Sequence, residues 1–227
     1  MAFLNLFIAY VPSFLSALWM TVKLAVCSLI GASLLGTLFG MFTVSGKKPL
    51  QALSALYVDL IRGTPLLVQT FIIYYGLASM LRPLGFSWKL LGGPFAAGCV
   101  ALSLNAGAYM AEIIRGGIQS VPKGQVEAAR SLGLSYGKTM RRIILPQAML
   151  TMLPSIINQF IISLKDTSLI SIIGLREITQ NGKIIAANQS LMVMSVWLMV
   201  ALYYFVVCTL LARFAKYVER SVSHGKL

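Results

Sequence analysis

Long apolar runs separated by short polar connections dominate the pattern of the chain. A helix that crosses a bilayer needs about 20 predominantly apolar residues, and each of five uncharged runs is near or above that length. The pattern therefore predicts an all-α integral membrane protein with five transmembrane helices. The runs occupy residues 24–46, 63–81, 90–111, 143–164 and 184–212.

Composition and charge agree with a membrane protein. The 227 residues are 58% hydrophobic and only 11% charged, whereas soluble domains carry about 25% charged residues. The net charge of +13 is concentrated in the segments that follow the first, third and fifth runs, which argues against nucleic-acid binding. Since positive residues mark cytoplasmic loops, this bias predicts a cytoplasmic C-terminus and an external N-terminus.

The first 22 residues are uncharged but do not resemble a cleaved signal peptide, because they lack a basic n-region and a clear A-x-A site. Pro12 is expected to break a continuous helix at this point. We therefore predict that residues 1–12 form an interfacial segment on the membrane and that the first span covers residues 14–43.

No repeat divides the chain, so residues 1–227 are predicted to form a single transmembrane domain. The three cysteines lie within apolar runs without metal-ligand spacing, and no metal site or catalytic group is expected. Residues 133–139, GLSYGKT, are one residue too short between their first glycine and the Gly-Lys pair to form a phosphate-binding loop. The chain is therefore not expected to bind a nucleotide.

The most informative motif lies between the third and fourth runs. It has the form E-A-A, three residues, G, nine residues, I, one residue, L-P. Two further motifs are RGTPLLVQ at residues 62–69 and NAGAYMAEIIRGGI at residues 105–118. The residues that make up the first motif are Glu127, Ala128, Ala129, Gly133, Ile143, Leu145 and Pro146.

Together these motifs resemble the permease subunits of ABC importers from the polar amino-acid uptake family, over about residues 14–220. The resemblance implies the type I ABC importer permease fold in a bacterial cytoplasmic membrane, with a cytoplasmic coupling loop at residues 120–146. It also implies three protein partners: a separate ATP-binding subunit that holds ATP and magnesium, a second permease copy or paralogue, and an external amino-acid-binding protein. Membrane lipid is a further partner.

The physical chemistry of the loop suits a coupling role. Residues 126–132 are compatible with a helix that has Glu127 in its first turn, where a carboxylate suits the helix dipole. Ala128 and Ala129 are small enough for a partner surface to approach closely. Gly133 is expected to end that helix and Ser135 to cap the next one.

Three intramembrane polar residues are candidates for substrate binding, because such groups are costly unless paired or functional. Asp166 suits an α-ammonium group. Gln159 lies on nearly the same helix face, roughly 10.5 Å away along the axis, and Asn105 would add a third hydrogen-bonding group. Alternatively, Asp166 is an interfacial anchor beside Lys165, and the two amides form interhelical hydrogen bonds.

Position 159 bears on specificity. Carriers of basic amino acids in the resembling family can have a glutamate there, whereas Gln159 is neutral. We therefore expect a polar neutral substrate, with glutamine first and basic amino acids or histidine as the alternative. An ion-coupled secondary transporter and a membrane scaffold are rival functions, but both leave the spacing of the loop motif unexplained.

Other polar and small residues are interpreted as architectural. Gly36 and Gly40 form a G-x-x-x-G motif that allows close helix contact. Asp59 and Arg62 are expected to pair locally, and Lys23 to snorkel or pair. Contact with the external binding protein is expected on an outer loop that carries Arg176, Glu177 and Lys183.

Overall fold

Helices form the entire architecture of the part of the chain that the computed structural model describes, which is residues 2–224 for the backbone and residues 7–189 and 191–217 for the side chains. Within those limits no strand occurs. In chain order the helices are α1 (Ala2–Thr43), α2 (Lys48–Arg62), α3 (Leu66–Phe71), α4 (Ala78–Leu81), α5 (Pro94–Gln119), α6 (Lys123–Ser131), α7 (Tyr136–Thr139), α8 (Leu145–Asp166), α9 (Ile178–Asn188) and α10 (Val193–His224).

Short π and 3-10 segments connect several of these helices. The π segment Ile72–Leu77 joins α3 to α4, and the π segment Met140–Ile144 joins α7 to α8. A 3-10 segment, Thr167–Ile173, continues directly from α8. The fourth predicted apolar run is therefore the centre of a longer helical rod that begins at Tyr136.

In the described part of the chain, four stretches are long and apolar enough to cross a membrane. A fifth crossing results if α2 and the following helical stretch Leu66–Leu84, which meet at a bend of 101°, are counted together. The predicted all-α membrane fold with five spans agrees with this architecture. The four unbroken candidate spans are Phe7–Thr43, Pro94–Gln119, Tyr136–Ile173 and Val193–Tyr217.

Large apolar side chains cover the outside of the long helices. In water such a surface would favour aggregation or association, but in a bilayer it meets hydrocarbon that is equally apolar. The surface therefore fits a helix bundle surrounded by lipid. Examples are Leu15, Ile30 and Leu34 on α1, and Phe205, Leu210 and Phe214 on α10.

The pair of helices α1 and α5 forms the most extensive contact in the bundle, and small residues make it possible. A Cβ atom placed on Gly40 would lie 2.9 Å from Cβ of Ile114. On the facing helix, a Cβ atom on Gly107 would lie 2.9 Å from Cβ of Leu35. The predicted role of Gly40 and its motif partner Gly36 in close helix packing is confirmed, with α5 of the same chain as the partner.

The prediction that Pro12 breaks the first helix is wrong, because Pro12 lies inside α1. The physical reason is packing on both sides of the proline. Tyr10 before it and Phe14 after it pack against one apolar cluster, which also contains Val196 of α10. Burial of these side chains outweighs the hydrogen bond that a proline removes from a helix. The interfacial location of residues 1–12 stays a prediction.

Candidate functional site

One cavity is lined by all three residues that the sequence analysis selected for substrate binding. Its volume is about 640 Å³, within the range of about 300–1,000 Å³ that small-molecule sites occupy. Asn105 comes from α5, and Gln159 and Asp166 come from α8. We call this space the central cavity; its other lining residues are Arg62, Gly63, Thr64, Pro65, Leu66, Tyr109 and Ile162.

The break between α2 and α3 forms one wall of the central cavity. A Cβ atom on Gly63 would lie 2.7 Å from the backbone oxygen of Asp59, so this position favours glycine. Pro65 follows in an extended conformation with φ −66° and ψ 138°, immediately before α3. The glycine allows the chain to close on the end of α2, and the proline then sets the new direction.

Gln69 stabilises this break from inside the protein. Its Nε2 atom donates to the backbone oxygens of Ile61 at 2.7 Å and Thr64 at 2.9 Å. Its Oε1 atom accepts a hydrogen bond of 3.0 Å from Nδ2 of Asn105. Both amide side chains are buried, so the bonds satisfy groups that would be costly to leave unpaired. The amide of Asn105 is thereby oriented with its nitrogen towards Gln69.

A charged cluster lies at the edge of the central cavity. Arg115 binds both carboxylate oxygens of Glu112, at 2.7 and 3.0 Å. Arg62 approaches the same carboxylate at 3.4 Å and lies 5.4 Å from the ring centre of Tyr109. Because the Arg62 side chain is 43% exposed, water screens its ion pair. Arg62 is therefore held near the cavity without being fully neutralised.

A second cavity of about 530 Å³ adjoins the first and shares Arg62, Tyr109 and Gln159 with it. Glu112 and Asn158 also line this second space. Gln159 is only 6% exposed and lies at the boundary of the two cavities. The two spaces together form a polar path between α5 and α8.

The three substrate candidates line one cavity, but the sequence analysis did not assign Arg62, Tyr109 or Glu112 to the site. These residues lie in the two motifs that carry the family resemblance, and that was the available signal. The expected pairing of Arg62 with Asp59 is wrong, since Arg62 faces Glu112 instead. The bend after α2 turns Arg62 towards α5, which no local pattern of residues reveals.

The predicted coupling segment, residues 120–146, contains a short helix followed by a left-handed turn. Helix α6 starts at Lys123, so Glu127 lies beyond its first turn, and the predicted first-turn position is wrong. Pro122 supplies the earlier start because it occupies the N-cap position. Gly133 has φ +78° and follows the helix, as predicted for a C-terminal glycine. Ser135 occupies the N-cap of α7, but its side chain makes no capping hydrogen bond.

The small residues of the coupling segment have different environments. Glu127 and Ala128 are exposed, whereas Ala129 is only 2% exposed. Ala129 is covered by its own chain, so its small size serves internal packing rather than partner contact. Leu132 is 83% exposed beside it, which leaves an apolar side chain at the free surface. Glu127, Ala128 and Leu132 thus belong to the accessible surface of this segment.

The outer loop differs from its prediction at one residue. Glu177 is fully buried and accepts hydrogen bonds from the backbone of Thr179 and Gln180 and from the hydroxyl of Tyr204. Burial raises the pKa of this carboxyl, and these hydrogen bonds partly offset the increase. Glu177 is therefore an N-cap of α9 and not a surface contact. Arg176 remains exposed.

The chain has clear relatives among known proteins. Residues 32–224 match the family model described as the binding-protein-dependent transport system inner membrane component. The chain is 38% identical over 211 residues to the glutamine transport system permease protein GlnP of Escherichia coli (strain K12). That alignment covers 92% of this chain and 93% of that protein. It is 37% identical over 209 residues to the L-cystine transport system permease protein TcyB of Bacillus subtilis (strain 168), with 92% of this chain and 86% of that protein covered.

A solved structure is similar over nearly the whole chain. The crystal structure of an amino acid ABC transporter with histidines matches with a TM-score of 0.86 and 37% sequence identity. The alignment covers 96% of this chain and 98% of the other. This chain therefore has the fold of that transporter chain over nearly its whole length.

Proposed function

Because the chain belongs to the family of binding-protein-dependent transport system inner membrane components, we propose that its central cavity holds an amino acid during import. The relatives make the protein an amino-acid permease subunit of an ABC importer. The observation that carries the proposal is that Asn105, Gln159 and Asp166 line one cavity. These three residues come from α5 and α8 and bring one carboxylate and two amides to the same space.

The cavity offers a partner for each charged end of an amino acid. Asp166 is an acceptor for the α-ammonium group, and Arg62 is a donor for the α-carboxylate, as an Arg fork matches a carboxylate. Asn105 directs its nitrogen to Gln69, which leaves its oxygen as a second acceptor for the ammonium. Charge pairs are stronger in such a partly buried site than in water. The substrate is thereby oriented before the passage opens.

The charges that line the central cavity favour a neutral side chain. Among the described residues that line it, only Arg62 and Asp166 are charged, and their charges cancel, as do those of a zwitterionic amino acid. A basic side chain would bring a further positive charge without a matching carboxylate. Gln159 can both donate to and accept from another amide. We therefore place glutamine first, with histidine or a basic amino acid as the alternative.

The proposed assembly supplies what a single chain lacks. An ATP-binding subunit, carrying ATP and magnesium, would dock on the exposed residues Glu127, Ala128 and Leu132. A second copy or a paralogue would complete the passage, and an external binding protein would deliver the amino acid. With the N-terminus outside and the C-terminus in the cytoplasm, α6 faces the ATP-binding subunit. Closure of two such subunits would move α6 and the attached spans as rigid bodies.

Transport in proteoliposomes tests this function. The complete transporter, with its ATP-binding subunit and binding protein, should import glutamine only when ATP is present on the side of the membrane that carries the ATP-binding subunit. Asp166→Asn should reduce uptake about tenfold or more, since a hydrogen bond to a charged group contributes about 1.5–3 kcal/mol. Asp59→Asn, at an exposed position on α2, is the matched control and should transport normally. Uptake driven by an ion gradient without ATP would contradict the proposal.

The role of Gln159 is tested with Gln159→Glu in the same vesicles. The added carboxylate should improve arginine uptake relative to glutamine uptake, because it supplies the missing negative charge. Gln159→Met keeps the size of the side chain and removes its polarity, so glutamine uptake should fall without a gain for arginine. If the ratio of arginine to glutamine uptake is the same in all three proteins, position 159 does not determine specificity.

A further inference from the structure

A small polar cavity lies between the beginning of α1 and the loop before α9. Its volume is about 270 Å³, and Ser13, Ser16, Ala17 and Arg176 line it. It shares no lining residue with the central cavity. A cation and two hydroxyl groups therefore converge at a place outside the proposed substrate site.

Arg176 is held in a fixed position at this cavity. Its Nε atom donates to Oδ1 of Asn181 at 3.1 Å, and its Nη2 atom donates to the hydroxyl of Ser13 at 3.5 Å. Ser13 in turn donates to the same Oδ1 atom at 2.8 Å. The two bonds of Ser13 join segments that are more than 160 residues apart in sequence. The guanidinium is therefore pre-oriented, so little entropy is lost when it binds an anion.

No carboxylate neutralises Arg176 within the described residues, where both salt bridges belong to Glu112. The adjacent Glu177 is buried and already occupied by backbone and tyrosine donors. The remaining donor groups of the guanidinium, together with the exposed hydroxyl of Ser16, suit an anion with several acceptor oxygens. A phosphate ester has this character.

The register of α1 against α5 gives the depth of the cavity in the membrane. The two helices run parallel, with Leu24 beside Gly98, Ser28 beside Ser103 and Gly40 beside Ile114. By this register Pro94, where a candidate span begins, lies level with Met20. Ser16 is four residues further towards the N-terminus, which is about 6 Å along a helix. The cavity therefore lies about one helical turn outside the level at which the α5 span begins, a depth that fits the polar boundary of the bilayer.

The neighbouring surface of α1 faces lipid. Trp19 is 62% exposed one turn from Ser16, and exposed tryptophans are typical of the membrane interface. Lys23 lies one turn deeper, with its Nζ atom 5.9 Å from the ring centre of Trp19, so its charge is directed back towards the same boundary. The apolar stripe continues below Trp19 through Val26, Ile30 and Leu34.

We propose that the cavity formed by Ser13, Ser16 and Arg176 binds the phosphodiester group of a membrane phospholipid. The headgroup phosphate accepts from Arg176 and the serine hydroxyls, and the acyl chains lie along the exposed stripe of α1. A phospholipid fits better than a protein carboxylate because the charged cavity is continuous with a surface that already contacts hydrocarbon. The site anchors the outer end of α1 to α9 through one lipid.

Native mass spectrometry of the complete transporter tests the proposal, with added phosphatidylglycerol as the probe. Ser16→Asp places a carboxylate in the cavity without removing any bond of Arg176, and it should reduce lipid retention about tenfold, as expected from the loss of a charged hydrogen bond. Ser16→Asn has a similar size without the charge and should retain lipid. Arg176→Gln should resemble Ser16→Asp, whereas Arg82→Gln, at another exposed cation, should resemble the native protein.

Three results would overturn the proposal. The first is equal lipid retention by Ser16→Asp and Ser16→Asn. The second is loss of retained lipid when inorganic phosphate is added in excess, which would indicate a site for a free anion. The third is weaker association of the external binding protein with Arg176→Gln while lipid retention is unchanged, which would assign Arg176 to a protein carboxylate.

Discussion

Asn105 donates a 3.0 Å hydrogen bond to Gln69 across the wall of the central cavity, and this bond fixes the direction in which its amide faces. The nitrogen of Gln69 is engaged by backbone oxygens at the break after α2, so only its oxygen is available to Asn105. Gln69 therefore stabilises a bend in the membrane helix and orients the amide of Asn105 in the proposed substrate site. The bend and the proposed recognition of the substrate therefore both involve the side chain of Gln69.

Gln69→Leu should weaken substrate binding more than it slows transport. The leucine has a similar volume, but it leaves the amide nitrogen of Asn105 without its partner. We expect the KM for uptake to rise about tenfold, in line with the cost of an unpaired buried polar group, with a smaller change in the maximal rate. Gln51→Leu is the matched control, since Gln51 is an exposed glutamine on α2. Equal KM values for the two variants would show that Gln69 does not orient the site.

The apolar pattern was sufficient to predict an all-α membrane protein, because a bilayer imposes a length on every crossing helix. The pattern could not predict that the second crossing bends by 101° between α2 and α3. Gly63 and Pro65 are compatible with a bend, but its angle depends on the packing of Gln69 and Asn105, which are far apart in sequence. The continuity of α1 through Pro12 also depends on distant contacts.

That Asn105, Gln159 and Asp166 line a cavity could be expected from the sequence, because uncompensated polar groups are rare inside membranes. Arg62 was not assigned to the cavity because a local partner, Asp59, was available in the sequence. In the fold, Glu112 on α5 is the partner. Ala129 was misjudged for a related reason: a motif shows which residues are small, but not which of two adjacent alanines faces the solvent.

Gly107→Ala should destabilise the protein, whereas Gly116→Ala should not. Both residues lie on α5, so the change in helix propensity is the same. A Cβ atom on Gly107 would lie 2.8 Å from the hydroxyl of Tyr57 and 2.9 Å from Cβ of Leu35, while one on Gly116 would meet nothing within 4 Å. Overpacking of this kind costs about 1–3 kcal/mol. Thermal unfolding in nanodiscs should therefore give a lower Tm for Gly107→Ala only, and equal Tm values would contradict the tight contact.

The two alanines of the coupling segment should respond differently to a bulky substitution. Ala128→Trp places the ring on the exposed side of α6, so it should leave the Tm unchanged but reduce ATPase stimulation by the loaded binding protein. Ala129→Trp forces the ring into a position that is only 2% exposed, so it should lower the Tm and the yield of folded protein. Measuring both quantities for both variants separates partner contact from internal packing. A lower Tm for Ala128→Trp than for native protein would instead place Ala128 in the interior.

The buried carboxyl of Glu177 should make stability depend on pH. Burial raises its pKa in the folded protein above the ordinary value of 4.5, so the folded state binds a proton more readily than the unfolded state. The stability from this group is greatest below pH 4.5 and is lost as the pH rises towards the raised value. Since Glu177→Gln does not titrate, the Tm of native protein minus that of the variant should decrease over this window.

Tyr204→Phe extends the same measurement. The tyrosine hydroxyl donates to the carboxylate at 2.8 Å and thereby lowers the pKa of Glu177, opposing the effect of burial. Its removal should raise that pKa further and shift the end of the pH window to a higher value. If the Tm of native protein minus that of Glu177→Gln instead increased with rising pH, the predicted sign for Glu177 would be wrong. It would mean that the hydrogen bonds of the N-cap, and not burial, dominate the ionisation of Glu177.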